Sequence, residues 1–536
     1  MFYSKSKQEM TMNRRTLLTT GLAAGAGITA APFIMRKGIA QAGTPVTLTP
    51  WVDPLPTPPV LNPTNIVSGA AFDPRVTAYG APNYHELIEA EGFHQFHRDL
   101  PATKMWLYNG TFPGPTFINR RGIPTVVRRI NNLNPAHVGF GIPETTMHHH
   151  GGHQSPMDDG WPLDFITPGT YRDHLIPNIV PDNDSNEWPS TLWYHDHCID
   201  YTAANVYRGL AGMSLHFDDL DSGNENDINP AALRLPSGAY DVPLVFRDVA
   251  LNADGSLLFN QLDTKGQVGN LKTVNGKVKP YLTVQRRKYR FRLLGGSLAR
   301  EWMFRIWNGN VRVPFQIIAS DGGLLPAPVT VTQHQQGNAE RYEIVVDFSK
   351  FANGTQITLN DHLVQTDGNK PVGVSPTGEP LVLFRVVGAA AAPDPSRVPD
   401  VLRPLSPVDM TRVMATRTIE LSQVGGFWTI NGSPWNPNVP IFQPKLGSAE
   451  IWNVSVKGGG WDHPLHIHQE FFRILKRGGA KPQAWERGRK DVVLLSNTSP
   501  VQLYVSFRTF TGPYVFHCHN LAHEDMAMMA WYNVIP

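Results

Sequence analysis

Cysteine is scarce in this 536-residue chain: there are two, Cys198 and Cys518. Two thiols are too few for a disulfide framework. Charge bias is also missing. The formal net charge of +2 becomes −3 once residues 1–42, with six bases and one acid, are set aside. Without a basic surplus, nucleic acid is excluded as a partner. No stretch beyond residue 42 is apolar enough to cross a bilayer, and few segments carry a helical pattern. Histidine is absent between His216 and His334, so the middle of the chain cannot supply a histidine-rich metal site.

What is abundant is glycine (47) and proline (46), which favour short strands and turns over long helices. An internal repeat fits that composition. Asn109-Gly110, Asn275-Gly276 and Asn431-Gly432 lie 166 and 156 residues apart, each followed by prolines and then a strand-like run (Val126–Ile130, Tyr289–Leu293, Glu450–Val454). Three domains of one kind are expected, each a Greek-key β-sandwich or small barrel. The expected boundaries are 43–222, 223–387 and 411–536, with an exposed Ala/Pro-rich linker at 388–410. Ahead of them, Asn13-Arg14-Arg15-Thr16-Leu17-Leu18 resembles a twin-arginine export signal, and Ala40-Gln41-Ala42 has the form of its cleavage site. Gly21, Gly25, Gly27 and Pro32 would make a poor membrane anchor. The expectation is export by the twin-arginine machinery, cleavage after residue 42 and a periplasmic or extracellular location.

The chemistry is concentrated at the C-terminus. Cys518, His523 and Met528 stand at a C-x4-H-x4-M spacing, which lets one tight loop bring a thiolate, an imidazole and a weak thioether to one metal. That donor set suits a blue-copper centre. On a strand, Cys518 would face one side while His517 and His519 face the other, about 6.6 Å apart, so one tripeptide would join two metal sites. Three further clusters follow the same logic: His148-His149-His150-Gly151, His195-Asp196-His197 and His463-Pro464-Leu465-His466-Ile467-His468. Each H-x-H on a strand turns both imidazoles to one face. Zinc explains neither the methionine spacing nor a cysteine flanked by histidines, and haem or iron–sulfur ligation fails with one available cysteine. Copper is the consistent metal. Committing Cys518 to it rules out a Cys198–Cys518 bridge and leaves Cys198 as a small buried residue.

At these residues the chain resembles the multicopper oxidase family, whose H-x-H-G, H-x-H, H-P-x-H-x-H and H-C-H-x3-H-x4-M elements all occur in order. Trp193–His197 and Gly460–Pro464 are similar to its spore-coat laccase and bilirubin oxidase branch. The resemblance implies three cupredoxin-like domains and four coppers: a type 1 ion on His463, Cys518 and His523 with Met528 axial, a type 2 ion on His148 and His466, and a type 3 pair on His150, His195, His197, His468, His517 and His519. It also implies a monomer that draws single electrons from phenols, aryl amines or similar reductants and reduces O2 to water. Glu524 and Asp159 match the family's acids beside the cluster and would serve proton supply, or orient ligands. An oxidase of Mn(II) or Cu(I) is the alternative, although no Met-rich insert accompanies Met526, Met528 and Met529. A copper-free structural relative is the remote alternative, against which the complete ligand set argues. His149 and His153 lie outside the ligand pattern. His85, His94, His97, His137, His174, His216, His334 and His362 are expected to be surface or structural, and Trp428 and Trp461 are candidates for a substrate cleft.

Overall fold

The computed structural model describes residues 47–64, 74–388 and 393–536. The expected export signal and its cleavage site lie outside the described residues. Among the described residues no helix is long and apolar enough to cross a membrane.

The fold is all-β, with three consecutive cupredoxin-like sandwiches, each of two facing sheets. In the first, Thr103–Tyr108, Asn83–His94, Thr125–Asn131 and Tyr171–Ile176 form one sheet; Gly114–Arg120, Ala211–Phe217, Thr191–His195 and His148–His150 form the other. The middle sandwich, within Asp241–Val387, faces a seven-stranded sheet against a six-stranded one. In the third, a five-stranded sheet built around Val413–Val424 and Ala449–Val456 faces Val492–Ser496, Asp462–Ile467, Gly512–Cys518 and Met529–Val534.

The Asn-Gly repeat is one turn used three times. Both residues have positive φ at each site: 48° and 72°, 48° and 75°, 53° and 75°. Such a pair favours asparagine followed by glycine. Each asparagine side chain accepts from the backbone of a strand in its own sandwich: from Ile88 at 2.6 Å, Val245 at 2.8 Å and Glu420 at 2.7 Å. Those strands run parallel to Thr125–Asn131, Lys288–Gly295 and Ala449–Val456, which contain the three expected strand runs.

Alternating apolar positions fill each sandwich. Phe246, Phe291, Trp302 and Phe304 pack the middle one. In the third, Trp452, Leu465, Phe516 and Tyr532 share the core with Cys518 and Met528. The Ala/Pro-rich segment departs from the exposed linker expected of it. Over residues 393–409 it has no regular structure, but Leu402 and Arg403 are buried. Arg403 pairs with Asp218 at 2.7 Å, and Asp394 with Arg287 at 2.9 Å. Prolines prevent a strand there, yet leave carbonyls and side chains free to strap the segment down.

A buried ion network ties the middle sandwich to the first. Glu343 accepts from Arg290 at 2.7 Å, from Arg292 at 3.0 Å and from the Thr191 hydroxyl at 2.6 Å. Arg290 also reaches Asp221, and Arg292 reaches Asp241, each at 2.7 Å. Thr191 begins the strand that ends at His195. Burial alone would raise the Glu343 carboxyl, but the two guanidinium groups outweigh it and hold it at about 2. A lowered folded-state value stabilises the fold above the unfolded pKa near 4.5, and this contribution is lost as pH falls toward 2. Glu343→Gln should cost about 3 kcal/mol at neutral pH, with the gap from wild type closing between about pH 4.5 and 2. Denaturant titrations at several pH values check this; a pH-independent gap would refute it.

Candidate metal centre

Two strand pairs bring the histidines together. In the first sandwich, antiparallel pairing sets His148 opposite His195 and His150 opposite Trp193. In the third, it sets His466 opposite His517 and Leu465 opposite Cys518. His197, His468 and His519 lie just past their strand ends, yet their rings join the same cluster. The two sandwiches interleave there: His148 stacks on His468 at 3.7 Å and His150 on His466 at 3.6 Å between ring centroids.

The ring nitrogens converge in three groups. His150 and His195 face each other at 3.4 Å with His519 beside them. His517 Nε2 lies 3.1 Å from that of His197 and 3.2 Å from that of His468. His148 and His466 meet at 3.2 Å. All eight rings are buried. Burial pushes every one of their pKa values down, to about 3 for His195 and about 4 for His197, and neighbouring imidazoles push several of them further. Neutral imidazole is the metal-binding form.

Outward nitrogens are mostly occupied. His148 Nδ1 lies 2.6 Å from the Asp159 carbonyl, His195 Nδ1 2.8 Å from that of Asp196 and His466 Nδ1 2.9 Å from that of Asp491. His468 Nδ1 meets the Asp159 carboxylate at 2.7 Å. His150 is turned the other way: its Nδ1 faces the cluster and its Nε2 lies 3.1 Å from Asp491 Oδ1. Such contacts fix the ring and leave one lone pair for a metal. The His519 ring is buried with no hydrogen-bond partner for either nitrogen among the described residues, as befits a group that binds something else.

A second, smaller centre sits in the core of the third sandwich. Cys518 Sγ lies 3.4 Å from His463 Nδ1 and 3.5 Å from His523 Nδ1, with the two nitrogens 3.2 Å apart. The centre of that triangle is about 2 Å from each corner, close to a metal–nitrogen or metal–sulfur bond length. Met528 is fully buried, and its carbonyl accepts from the Cys518 N–H at 3.1 Å. Burial pushes the Cys518 thiol up; a bound cation would reverse this by favouring the thiolate. Trp428 packs at 4.0 Å from the His523 ring, and half-buried Trp461 covers both at 4.7 and 5.4 Å. The donor sets thus fit transition-metal ions in both the histidine cluster and the thiolate centre.

Comparison with known proteins agrees. Multicopper oxidase family models match residues 94–217 and 399–536. The bilirubin oxidase of Albifimbria verrucaria is 34% identical over 501 residues, covering 90% of this chain and 81% of that protein. The chain belongs to the multicopper oxidase family. A laccase of Bacillus subtilis (strain 168) is 32% identical, over 90% of this chain and 98% of its own. Among solved structures, a laccase from Pediococcus acidilactici superposes with a TM-score of 0.75 at 26% identity, covering 92% of this chain and 95% of that one. Another is the McoA multicopper oxidase of Aquifex aeolicus, with a TM-score of 0.72 at 26% identity and coverage of 85% and 99%. As a member of this family the chain is a copper-dependent oxidoreductase that uses O2.

The two acids singled out from the sequence lie against cluster histidines, not in solvated loops. Asp159 touches His468 and His148. Glu524 lies 3.6 Å from His197 Nδ1 and 3.5 Å from His517 Nδ1, and takes a hydrogen bond from Thr202 at 2.8 Å. Burial pushes both carboxyls well above the usual range, aided by Asp158 and Asp525 respectively. His149 and His153 stay outside the cluster: His149 bonds Ser214 at 2.9 Å, His153 bonds Thr509 at 2.9 Å. None of the other eight histidines enters a group of converging ligands among the described residues. Most are buried, so they serve the fold and not the surface.

Sequence reading missed Asp491, which lies 23 residues past His468 in no motif, and Arg341, which pairs with it through both carboxylate oxygens. Burial raises Asp491 to about 6 despite that pairing. Gly151 offers the one local signal. Its φ is +85°, and a Cβ there would stand 2.6 Å from Asp491 Oδ2, 2.7 Å from Leu192 Cδ2 and 2.8 Å from an Arg341 nitrogen. The glycine of H-x-H-G is thus dictated by backbone shape and by the ion pair against it. Gly151→Ala should destabilise the protein by about 1–3 kcal/mol and lower its copper content, measured by denaturation and metal analysis. A variant unchanged in both would show that the ion pair yields freely.

Proposed function

We propose that this multicopper oxidase is laccase-like, taking single electrons from phenols, aryl amines or related reductants and reducing O2 to water. The observation that carries the reading is the position of Cys518. Its sulfur faces His463 and His523, while His517 and His519 on either side of it belong to the histidine cluster. One tripeptide therefore connects the two centres covalently. The donor sets support four coppers: His463, Cys518 and His523, with Met528 buried in the same core, would hold a type 1 ion, His148 and His466 a type 2 ion, and His150, His195, His519 with His197, His468, His517 a type 3 pair. Copper bound there supplies one-electron acceptance at the thiolate and multi-electron delivery to O2 at the cluster.

The chain's own residues do the rest. Residues 517–519 fix the span between the centres, and sandwich packing keeps water from the thiolate. Trp461 and Trp428 cover the His523 ring and support electron entry at this edge. Reducing O2 to water consumes protons, and Glu524 is placed to hold one within reach of His197 and His517, while Asp159 holds the ring of His468. The relatives named as laccases and bilirubin oxidase support organic reductants over metal ions. The Asn13–Leu18 stretch supports export by the twin-arginine machinery, and the complete set of ligands within one chain supports a monomer.

O2 uptake by copper-loaded protein should be fastest with a methoxyphenol, an aromatic diamine or bilirubin. Faster uptake with Mn(II) or Cu(I) would favour a metal-ion oxidase, and none with any reductant would sink the oxidase reading. Glu524→Gln should slow O2 turnover by about 10²–10⁴-fold while the intense visible band of the thiolate centre stays. Asp159→Asn should slow turnover and also loosen copper. Unchanged turnover in either variant would remove that residue from the mechanism.

A further inference from the structure

We propose that Arg341, from the sandwich that contributes no histidine to the cluster, is a positioning residue for the copper site. It locks Asp491, and Asp491 sets the ring orientation of His150 and His466. The inference rests on the copper reading above and adds a role for the middle sandwich.

The geometry is specific. Arg341 NH1 donates to Asp491 Oδ1 at 2.6 Å, and NH2 donates to Oδ2. Its Nε donates to the Thr191 carbonyl at 3.2 Å, at the start of the strand ending in His195. NH1 and NH2 also donate to the Ala339 and Asp321 carbonyls at 3.2 and 3.3 Å. One guanidinium in the middle sandwich therefore reaches both histidine-bearing sandwiches. Asp491 serves a ligand from each: its carboxylate accepts from His150 Nε2 at 3.1 Å, and its carbonyl from His466 Nδ1 at 2.9 Å.

His150 needs this more than its neighbours do. An imidazole can turn over about its Cβ–Cγ bond, which exchanges Nδ1 for a carbon. Only one of the two orientations aims a lone pair at the metals while the other nitrogen meets a carboxylate. A carboxylate accepts and never donates, so it requires the proton on Nε2 and leaves Nδ1 free. A buried carboxylate is stable in that role when its charge is matched, and the planar fork of arginine matches both oxygens at once. Lysine would supply the charge without the fork. His148 and His195 are instead steadied by the backbone carbonyls of Asp159 and Asp196, which Arg341 does not hold.

The test uses the full copper-loaded chain with Arg341→Gln, Arg341→Lys and, as a control, Arg403→Met, which removes another buried ion pair. Copper per chain, chelator competition, the visible band and the type 2 electron paramagnetic resonance signal are measured beside thermal stability. Arg341→Gln should keep the visible band but release cluster copper about 10–100-fold more readily, with an altered type 2 signal. Arg341→Lys should be intermediate, and Arg403→Met should lower stability alone. Wild-type copper retention and signals in both Arg341 variants would overturn the proposal, as would equal copper loss in Arg403→Met. If Arg341→Gln does not fold, Arg341→Lys decides by the same criterion. A wild-type chain that takes up no copper would instead overturn the oxidase reading itself.

Discussion

Eight imidazoles can share one small buried volume only if each stays neutral and turns one lone pair inward. Burial supplies neutrality here by pushing every ring's pKa down, and mutual proximity adds to it. Orientation is the harder requirement, because a histidine ring has two nitrogens and little steric preference between its two flips. The protein meets it largely with carbonyls and carboxylates behind the rings: the Asp159, Asp196 and Asp491 carbonyls for His148, His195 and His466, and the carboxylates of Asp159 and Asp491 for His468 and His150. The stacked pairs His148–His468 and His150–His466 then bring the two sandwiches into register.

The middle sandwich has a part in this although it offers no ligand. Its buried charges face outward into its neighbours: Glu343 takes the Thr191 hydroxyl, Arg341 holds Asp491, and Asp321 and Glu340 pair with Lys490 at 2.9 and 3.0 Å. Lys490 and Asp491 are adjacent, so two consecutive residues of the third sandwich are clamped by the second just behind the cluster. Breaking a buried pair by removing one partner leaves an uncompensated charge, which makes such contacts demanding of geometry.

The side chains that converge were legible in the sequence because a shared metal favours short spacings: C-x4-H and H-x-H survive as local patterns. The β-character and the threefold Asn-Gly turn were legible for a similar reason, since a turn with two positive φ angles dictates its residues. The groups behind the ligands were not. Asp491 and Arg341 meet across 150 positions, and no periodicity marks such a partner. Asp159 and Glu524 were visible as acids near ligands, but only folding shows which ring each touches. The linker was misjudged as exposed because Ala/Pro composition reports the lack of a strand and says nothing of Arg403 or Asp394 docking beneath.

The histidine cluster draws half its ligands from residues 148–197 and half from residues 466–519. Neither sandwich alone presents a complete site, so metal binds the docked arrangement and not the separated one. By mass action, each ion captured shifts the docking equilibrium toward the closed molecule. The cofactor is thereby a rivet as well as a catalyst, and the resistance of the sandwich interface to unfolding should rise and fall with the supply of metal.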